Sequence, residues 1–395
     1  MCRTTPFVPA PLESPVLSSS PRTDGARRLG ALFAIAALAT ACGTAPTDSS
    51  SDLEPNADAT PADEGPATPS EAPAEPFTIA FGGDVHFETV LRSRLDSDPE
   101  TALGPVSSVL GEADIAMVNL ETAVTEGGTQ APGKQFVFRA PPTALQALRS
   151  AGVDVATVAN NHGMDFGRDG LADTLDNAEE AGFPLVGAGR DADEAYAPHI
   201  VEANGNEVAI LGATDVLDDH LIAEWTAGED KPGMASTKGE MLDRMLRAVS
   251  EAEEQADSVI VYLHWGLEGD HCPLPHAPDL ARQLIDAGAD AVVGGHAHVL
   301  SPGGYMGDAY VHYGLGNFAF YNFDGPTAET GVLELTMQGG EVLEDEWLPG
   351  RIQGGVPVMY EGEAAGQARD TWEGHRATCT PDLGAEPGGG SSEGR

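Results

Sequence analysis

The sequence predicts an α/β layered fold with parallel strand pairing. Two patterns carry that reading. From Phe77 to Gly294, short apolar runs alternate with helical stretches, the order expected of βαβ units. The C-terminal third then changes to closely spaced strand patterns near 309–313, 331–337 and 341–347, which predicts an antiparallel β elaboration. A third regularity concerns chemistry. Five of the predicted strands run into Asp, Glu, Asn or His, and in open α/β sheets ligands bind beyond the carboxyl ends of strands.

Taken in order, Phe77-Thr78-Ile79-Ala80-Phe81 is a strand that ends at Gly82-Gly83-Asp84. Residues 88–111 read as helical. Ile115-Ala116-Met117-Val118 is a second strand, ending at Asn119-Leu120-Glu121. Pro142 to Ala151 is a helix closed by Gly152, and Val153 to Val158 is a third strand, ending at Asn160-Asn161-His162. Leu171 to Ala181 is a helix closed by Gly182. Residues 199–213 read as two strands around Asn204-Gly205, a hairpin signal. An acidic helix covers about 239–256. Ser258 to Leu263 is a strand ending at His264-Trp265-Gly266, Leu280 to Ala287 is a helix, and Asp290 to Gly294 is the strand before Gly295-His296-Ala297-His298.

The rest of the chain bounds the setting. The formal charge is −43, from 63 acids against 20 bases. Such an excess repels nucleic acid, and it favours cations and solubility. Arg22, Arg27 and Arg28 precede an apolar run from Leu29 to Leu38, the pattern of an export signal over residues 1–41. Arg27-Arg28 also hints at twin-arginine export. Leu38-Ala39-Thr40-Ala41-Cys42 resembles a bacterial lipobox, with Cys42 the lipidation site. A cleaved secretory signal and an uncleaved anchor are the alternatives. Residues 43–76 hold eight acids and no base among Ser, Thr, Pro, Ala and Gly, so 42–76 reads as a disordered, self-repelling tether. One folded domain is expected over 77–380, and 381–395 reads as a disordered tail. No later apolar stretch is long enough for a second membrane span. The expected location is the extracytoplasmic face of the cell membrane, held there by the lipid. In that oxidising setting Cys272 and Cys379 are an even pair: either a disulfide or two independent buried thiols.

The chain has 11 histidines, and five of them fall at the strand ends: His86, His162, His264, His296 and His298. On extended chain, His296 and His298 would project to one side with Cα atoms roughly 6–7 Å apart. That suits one metal, or two metals roughly 3.5–4 Å apart. The flanking glycines would let the chain turn sharply off the strand. Imidazole with carboxylate favours a divalent transition metal such as Mn, Zn or Fe over Mg or Ca.

The ordered set Gly83-Asp84-Val85, Asn119-Leu120-Glu121, Ala159-Asn160-Asn161-His162, His264-Trp265-Gly266, Gly295-His296-Ala297-His298 and Leu315-Gly316-Asn317-Phe318 resembles the CapA family, the poly-γ-glutamate capsule synthesis proteins. That family lies within the calcineurin-like metallophosphoesterase superfamily. The resemblance covers about residues 77–355. It implies a metallophosphoesterase-like αββα sandwich with a C-terminal β-strand elaboration. It also implies two metal ions, one held by Asp84, His86 and His298, the other by Asn161, His264 and His296. Glu121 takes the bridging place that aspartate holds in the wider superfamily. His162 matches the histidine that protonates a leaving group or stabilises a transition state. Asn119, Asn160, Glu268 and Asn317 are candidates for contacting substrate. Asn119 and Asn317 have two alternative readings: ligand orientation, or the satisfaction of backbone groups. Glu268 equally reads as an exposed loop acid. Trp265 reads as core rather than as a substrate platform, the weaker alternative, and Lys134 and Arg139 read either as anion contacts or as ordinary loop cations. The sequence departs from the family pattern at Ser301-Pro302-Gly303-Gly304-Tyr305, where many relatives carry a glutamate, and at Gly269 and Gly314.

Two functions follow as expectations. One is a lipid-anchored protein of capsule or envelope polymer synthesis or export, handling an anionic polymer within a membrane complex. The other is a metal-dependent phosphoesterase or hydrolase of the envelope, acting on a phosphoester or amide-type substrate.

Overall fold

The computed structural model describes residues 74–321 and 324–388. Residues 1–41, Cys42, most of 42–76, and 389–395 lie outside the described residues. The first sheet runs Val356–Met359, Glu341–Gln353, Glu329–Gln338, Phe77–Val85, Ile115–Leu120, Val155–Thr157, Leu185–Val186. Asn317–Ala319 pairs alongside Phe77–Val85, off that path. The second runs Gly303–Met306, Ala309–His312, Ala291–His296, Ser258–Trp265, Asn206–Thr214, His199–Ala203. Each sheet has parallel strands at its centre and antiparallel strands at an edge.

Period-two alternation explains the layering. Phe77, Ile79 and Phe81 share one buried cluster with Ile260, Tyr262 and Val293 of the other sheet, so these faces meet. The intervening Ala80, Ala116 and Val118 face a second cluster, with Leu145 and Leu148 of helix Thr143–Ser150 and Leu171 and Leu175 of helix Gly167–Ala181. On the far side Val259, Val261 and Leu263 meet Met245 and Val249 of helix Met241–Glu253 and Leu280 and Leu284 of helix Ala277–Asp286. The result is helix, sheet, sheet, helix: the αββα sandwich that the resemblance implied.

Most elements fall where the sequence places them. Asn204 and Gly205 both have positive φ, 51° and 81°, the pair of left-handed residues that a two-residue hairpin turn needs. Gly182, at φ 61°, closes the helix Gly167–Ala181. Three expectations need correction, and one helix has no counterpart in the sequence pattern. The predicted helix over 88–111 is broken into helix Val90–Ser97 and three short turns, because Pro99 and the Gly104-Pro105 pair interrupt it. The strand Ala309–His312 is parallel to Ala291–His296, and only its other neighbour is antiparallel. An 18-residue helix, Gly362–Cys379, ends the fold; its apolar face is too weak to announce it, with only Ala365 and Trp372 buried. The chain also stays attached past residue 380, where Gly384 exchanges backbone hydrogen bonds with Tyr305 and Leu383 is buried.

Cys272 and Cys379 are joined, with Cα atoms 5.0 Å apart. Among the described residues no helix is long and apolar enough to cross a membrane.

Candidate metal centre

The carboxyl ends of both sheets converge on one buried polar cluster. Asp84 ends the strand Phe77–Val85 and pairs in register with Asn119 on one side and Asn317 on the other. This close fit requires Gly83, since a Cβ there would lie 2.0 Å from the Gly316 carbonyl oxygen. Asp84 Oδ1 accepts from Asn119 Nδ2 at 2.8 Å, and Oδ2 accepts from the His296 backbone N–H at 3.0 Å. The second contact ties the two sheets together at the site. It depends on Gly295, where a Cβ would fall 2.4 Å from Asp84 Oδ1.

The His-x-His pair is built differently from the sequence expectation. The chain is not extended there: His296 has φ 94° and His298 has φ 56°. These are left-handed values that side-chain-bearing residues rarely adopt, and such conformations cost about 1–3 kcal/mol each. The sharp turn is therefore made by the histidines themselves. Gly295 serves the close approach of Asp84, not the turn. The two imidazoles end up 5.8 Å apart, and His296 stands 4.8 Å from His264.

Glu121 lies at the middle. It is fully buried, and neither carboxylate oxygen has a hydrogen-bond partner. His264 Nε2 is 3.7 Å and His162 Nε2 is 3.9 Å from Glu121 Oε1. Ligand atoms of Glu121, His296 and His298 lie within 4.8 Å of one another. His296 Nδ1 also lacks a partner. Burial, followed by the nearby Asp84 carboxylate, pushes the Glu121 carboxyl well above its usual range. Burial works against a charge on His298, but Glu121 and Asp84 outweigh it and hold His298 up at about 9. Burial, with the neighbouring histidines, lowers His264 and His296 well below the ordinary imidazole value.

A buried carboxylate without donors is costly unless a cation meets it. The donor set fits a divalent transition metal. His296 comes from one expected ligand set and His298 from the other, with Glu121 between them. Asn161 Oδ1 sits 2.9 Å from His264 Nε2, so it belongs to the same cluster. His86 is set apart: Nδ1 accepts from the Glu88 N–H at 2.9 Å, and Nε2 faces the Tyr321 N–H at 3.3 Å. Its ring packs among Phe138, Phe320 and Tyr321.

The asparagines named as substrate candidates lie inside the cluster. Asn119, Asn160 and Asn317 are fully buried. Asn119 Nδ2 also lies 3.2 Å from His264 Nδ1. Asn160 donates to Asn119 Oδ1 and to the Leu120 carbonyl, and its own Oδ1 accepts from the His162 N–H. Asn317 Oδ1 lies 2.9 Å from His298 Nδ1. These contacts set the three side chains behind the candidate ligands, where they would orient them toward a metal. Glu268 is exposed on the loop after His264, and its charge adds to the raising of His298. Trp265 is core, stacked on Tyr313 at 5.2 Å.

Sequence reasoning missed Asp165. Its Oδ2 lies 2.6 Å from His162 Nδ1, and its Oδ1 pairs with Lys134 Nζ at 2.8 Å. The spacing of three residues from His162 was the available signal. Lys134 is not an ordinary exposed loop cation. Its side chain is 5% exposed, and it also donates to the Asn161 carbonyl. Arg139 lies over the Phe166 ring, 3.5 Å from its centre. Phe138 stacks on His162 at 4.1 Å and shields it, which nothing in the local sequence announces.

The chain is similar to the capsule biosynthesis protein CapA of Bacillus anthracis, at 32% identity over 64% of this chain and 61% of that protein. It is also similar to the PGA biosynthesis protein CapA of Bacillus subtilis, at 33% identity over 54% of this chain and 55% of that protein. It thus spans 55–61% of the length of these two curated relatives. Among solved structures, a novel phosphatase from Mycoplasma pneumoniae is similar in outline, with a TM-score of 0.43 and 13% identity over 74% of this chain and 97% of that one. The family described as bacterial capsule synthesis protein PGA_cap matches residues 78–322, and the chain belongs to that family.

Proposed function

We propose that this protein acts in the synthesis or export of poly-γ-glutamate capsule or a related anionic envelope polymer, through a centre that holds two divalent transition-metal ions. The observation that carries the metal reading is the buried Glu121 carboxylate, without a hydrogen-bond donor and ringed by imidazoles. Family membership and the names of the two Bacillus relatives support the pathway. The lipobox-like Cys42 supports attachment to the outer face of the cell membrane, and a Cys272–Cys379 disulfide suits that oxidising side.

Asp84, Glu121, Asn161, His264, His296 and His298 would hold the ions, with His86 the remaining member of the implied set. Held there, the ions supply Lewis acidity. The chain itself supplies orientation and a proton. Asp165 fixes His162 through Nδ1, which leaves Nε2 directed at the cluster and able to donate to a leaving oxygen. Phe138 covers the other face of that ring and keeps water from it.

The His162–Asp165 pair also favours a second reading, a metal-dependent phosphoesterase or hydrolase of the envelope. Elemental analysis of the purified protein, followed by assay of a generic phosphodiester with added Mn or Zn, tests both. Bound metal is expected at about two ions per chain. Turnover lost in His162→Ala and Asp84→Ala would favour the hydrolase. Metal without turnover would favour an accessory role in polymer synthesis, and absence of metal would overturn both readings.

A further inference from the structure

The helix Gly362–Cys379 lies against the edge of the first sheet and leaves a cleft of about 670 Å³ beside it. That volume falls within the range of small-molecule sites. Trp372 anchors the helix by donating its indole N–H to the Ser301 carbonyl at 3.0 Å, and the Cys272–Cys379 link ties down its end. Leu300 and Trp372 form an apolar floor. His271 and His375 stack at 4.3 Å, nearly parallel at 10°.

The charge of this cleft is unlike that of the chain around it. The protein has 63 acids, yet among the described residues Glu329 is the one acid that lines the cleft. It is held by Arg351 and by the Tyr360 hydroxyl, the latter at 3.2 Å. A guanidinium carries five N–H donors, so Arg351 keeps donors beyond that pair. Arg351 and the two imidazoles thus face a carboxylate already compensated from within.

We infer that this cleft is a second binding site, which takes a segment of an extended amide chain bearing carboxylates. The apolar floor and the stacked imidazoles suit methylenes and amide planes, and the Arg351 end suits a carboxylate. The cleft wall is linked through the chain to the metal centre. Leu300 lies two residues beyond His298, and His271 Nδ1 sits 2.7 Å from the Leu300 carbonyl. Thr330, also in the cleft wall, donates to the carbonyl of Asn317, whose side chain holds His298. The identity of the polymer rests on the proposed function; the location does not.

The test uses the full chain loaded with metal and a tetra-γ-glutamate probe, read by calorimetry and tryptophan fluorescence. Saturable binding is expected, weakened at least tenfold by Arg351→Ala and by Ala368→Trp, which fills the cleft. The uncharged tetra-γ-glutamine should bind more weakly. Arg351 is only partly buried, so its removal checks the result should Ala368→Trp disturb the fold. Binding that survives both cleft variants would overturn the cleft and leave the polymer reading standing. Absence of any binding to the wild-type protein would overturn both.

Discussion

His162 Nδ1 stands 2.6 Å from Asp165 Oδ2, and the other oxygen of that carboxylate holds Lys134 Nζ at 2.8 Å. The three groups form a buried relay of charge and orientation behind the ring that faces Glu121. Burial lowers the proton affinity of His162, and Asp165 pushes it back up. Asp165→Asn should therefore move the titration of His162 to lower pH, as read from its ring proton shifts. Turnover of a phosphodiester, where it is found, should fall on the order of 10²-fold or more, since the ring loses both its partner and its fixed tautomer. The same change strands Lys134 in the interior, so stability should drop by about 3–5 kcal/mol. Asp165→Asn combined with Lys134→Met should recover much of that loss in urea denaturation, whereas turnover should stay low.

The loop after His264 reaches across to the His-x-His turn. Gly269 donates its backbone N–H to the carbonyl of Ala297 at 2.8 Å, and three residues later Cys272 is bound to Cys379. The link spans 107 residues of sequence, so its loss frees a long loop in the unfolded chain. Cys379→Ser should cost about 2–5 kcal/mol in urea denaturation. It should also weaken metal affinity, because the loop that steadies Ala297 loses its anchor. A variant that loses stability yet binds metal with unchanged affinity would show that the link serves the C-terminal helix alone.

How far the sequence reveals this molecule depends on the range of the interaction. Strands buried along nearly their whole length, such as Phe77–Val85, and turns with a local backbone demand, such as Asn204-Gly205, are legible because neighbouring residues decide them. The strand-end residues are legible as a group because they lie just beyond apolar runs. What escapes is set by contacts between distant segments. Nothing near Lys134 in sequence signals its burial against Asp165, and nothing in Gly362–Cys379 signals a helix held mainly by Trp372 and a disulfide. The left-handed turn at His296 and His298 escapes for a different reason. The local pattern Gly-Gly-His suggests that glycine takes the strain, whereas the second sheet's contact with Asp84 requires glycine at 295 and passes the turn to the histidines.

His312 gives the fold an acid sensitivity that can be located. It is fully buried, stacked near Trp347 and Trp372, and its Nε2 has no hydrogen-bond partner. Burial lowers it from 6.5 to about 3. Below pH 6.5 the unfolded chain takes up a proton that the folded chain refuses. Stability from this group is therefore complete above 6.5 and is lost as pH falls toward 3, by up to about 1.4 kcal/mol per pH unit. His312→Phe keeps an aromatic ring in the stack. Its melting temperature should fall less between pH 7 and pH 5 than that of the wild type. An equal fall in both proteins would assign the acid sensitivity to the other buried histidines.

Glu121 should change sign as a contributor to stability when metal is added. Without metal its buried carboxylate has no donor, and burial and Asp84 hold its proton affinity high. The unfolded chain releases that proton near pH 4.5, so the metal-free protein loses stability as pH rises above this value. Glu121→Gln removes the penalty, and the metal-free variant should melt above the metal-free wild type at pH 8. With Mn or Zn at a hundred times its dissociation constant, the wild type should gain about 2.7 kcal/mol per site. The glutamine variant should gain little, because an amide is a poor substitute for a carboxylate between two cations. Two melting curves for each protein, with and without metal, decide the matter. If the order of the two proteins is the same in both conditions, Glu121 is not the group that meets the metal.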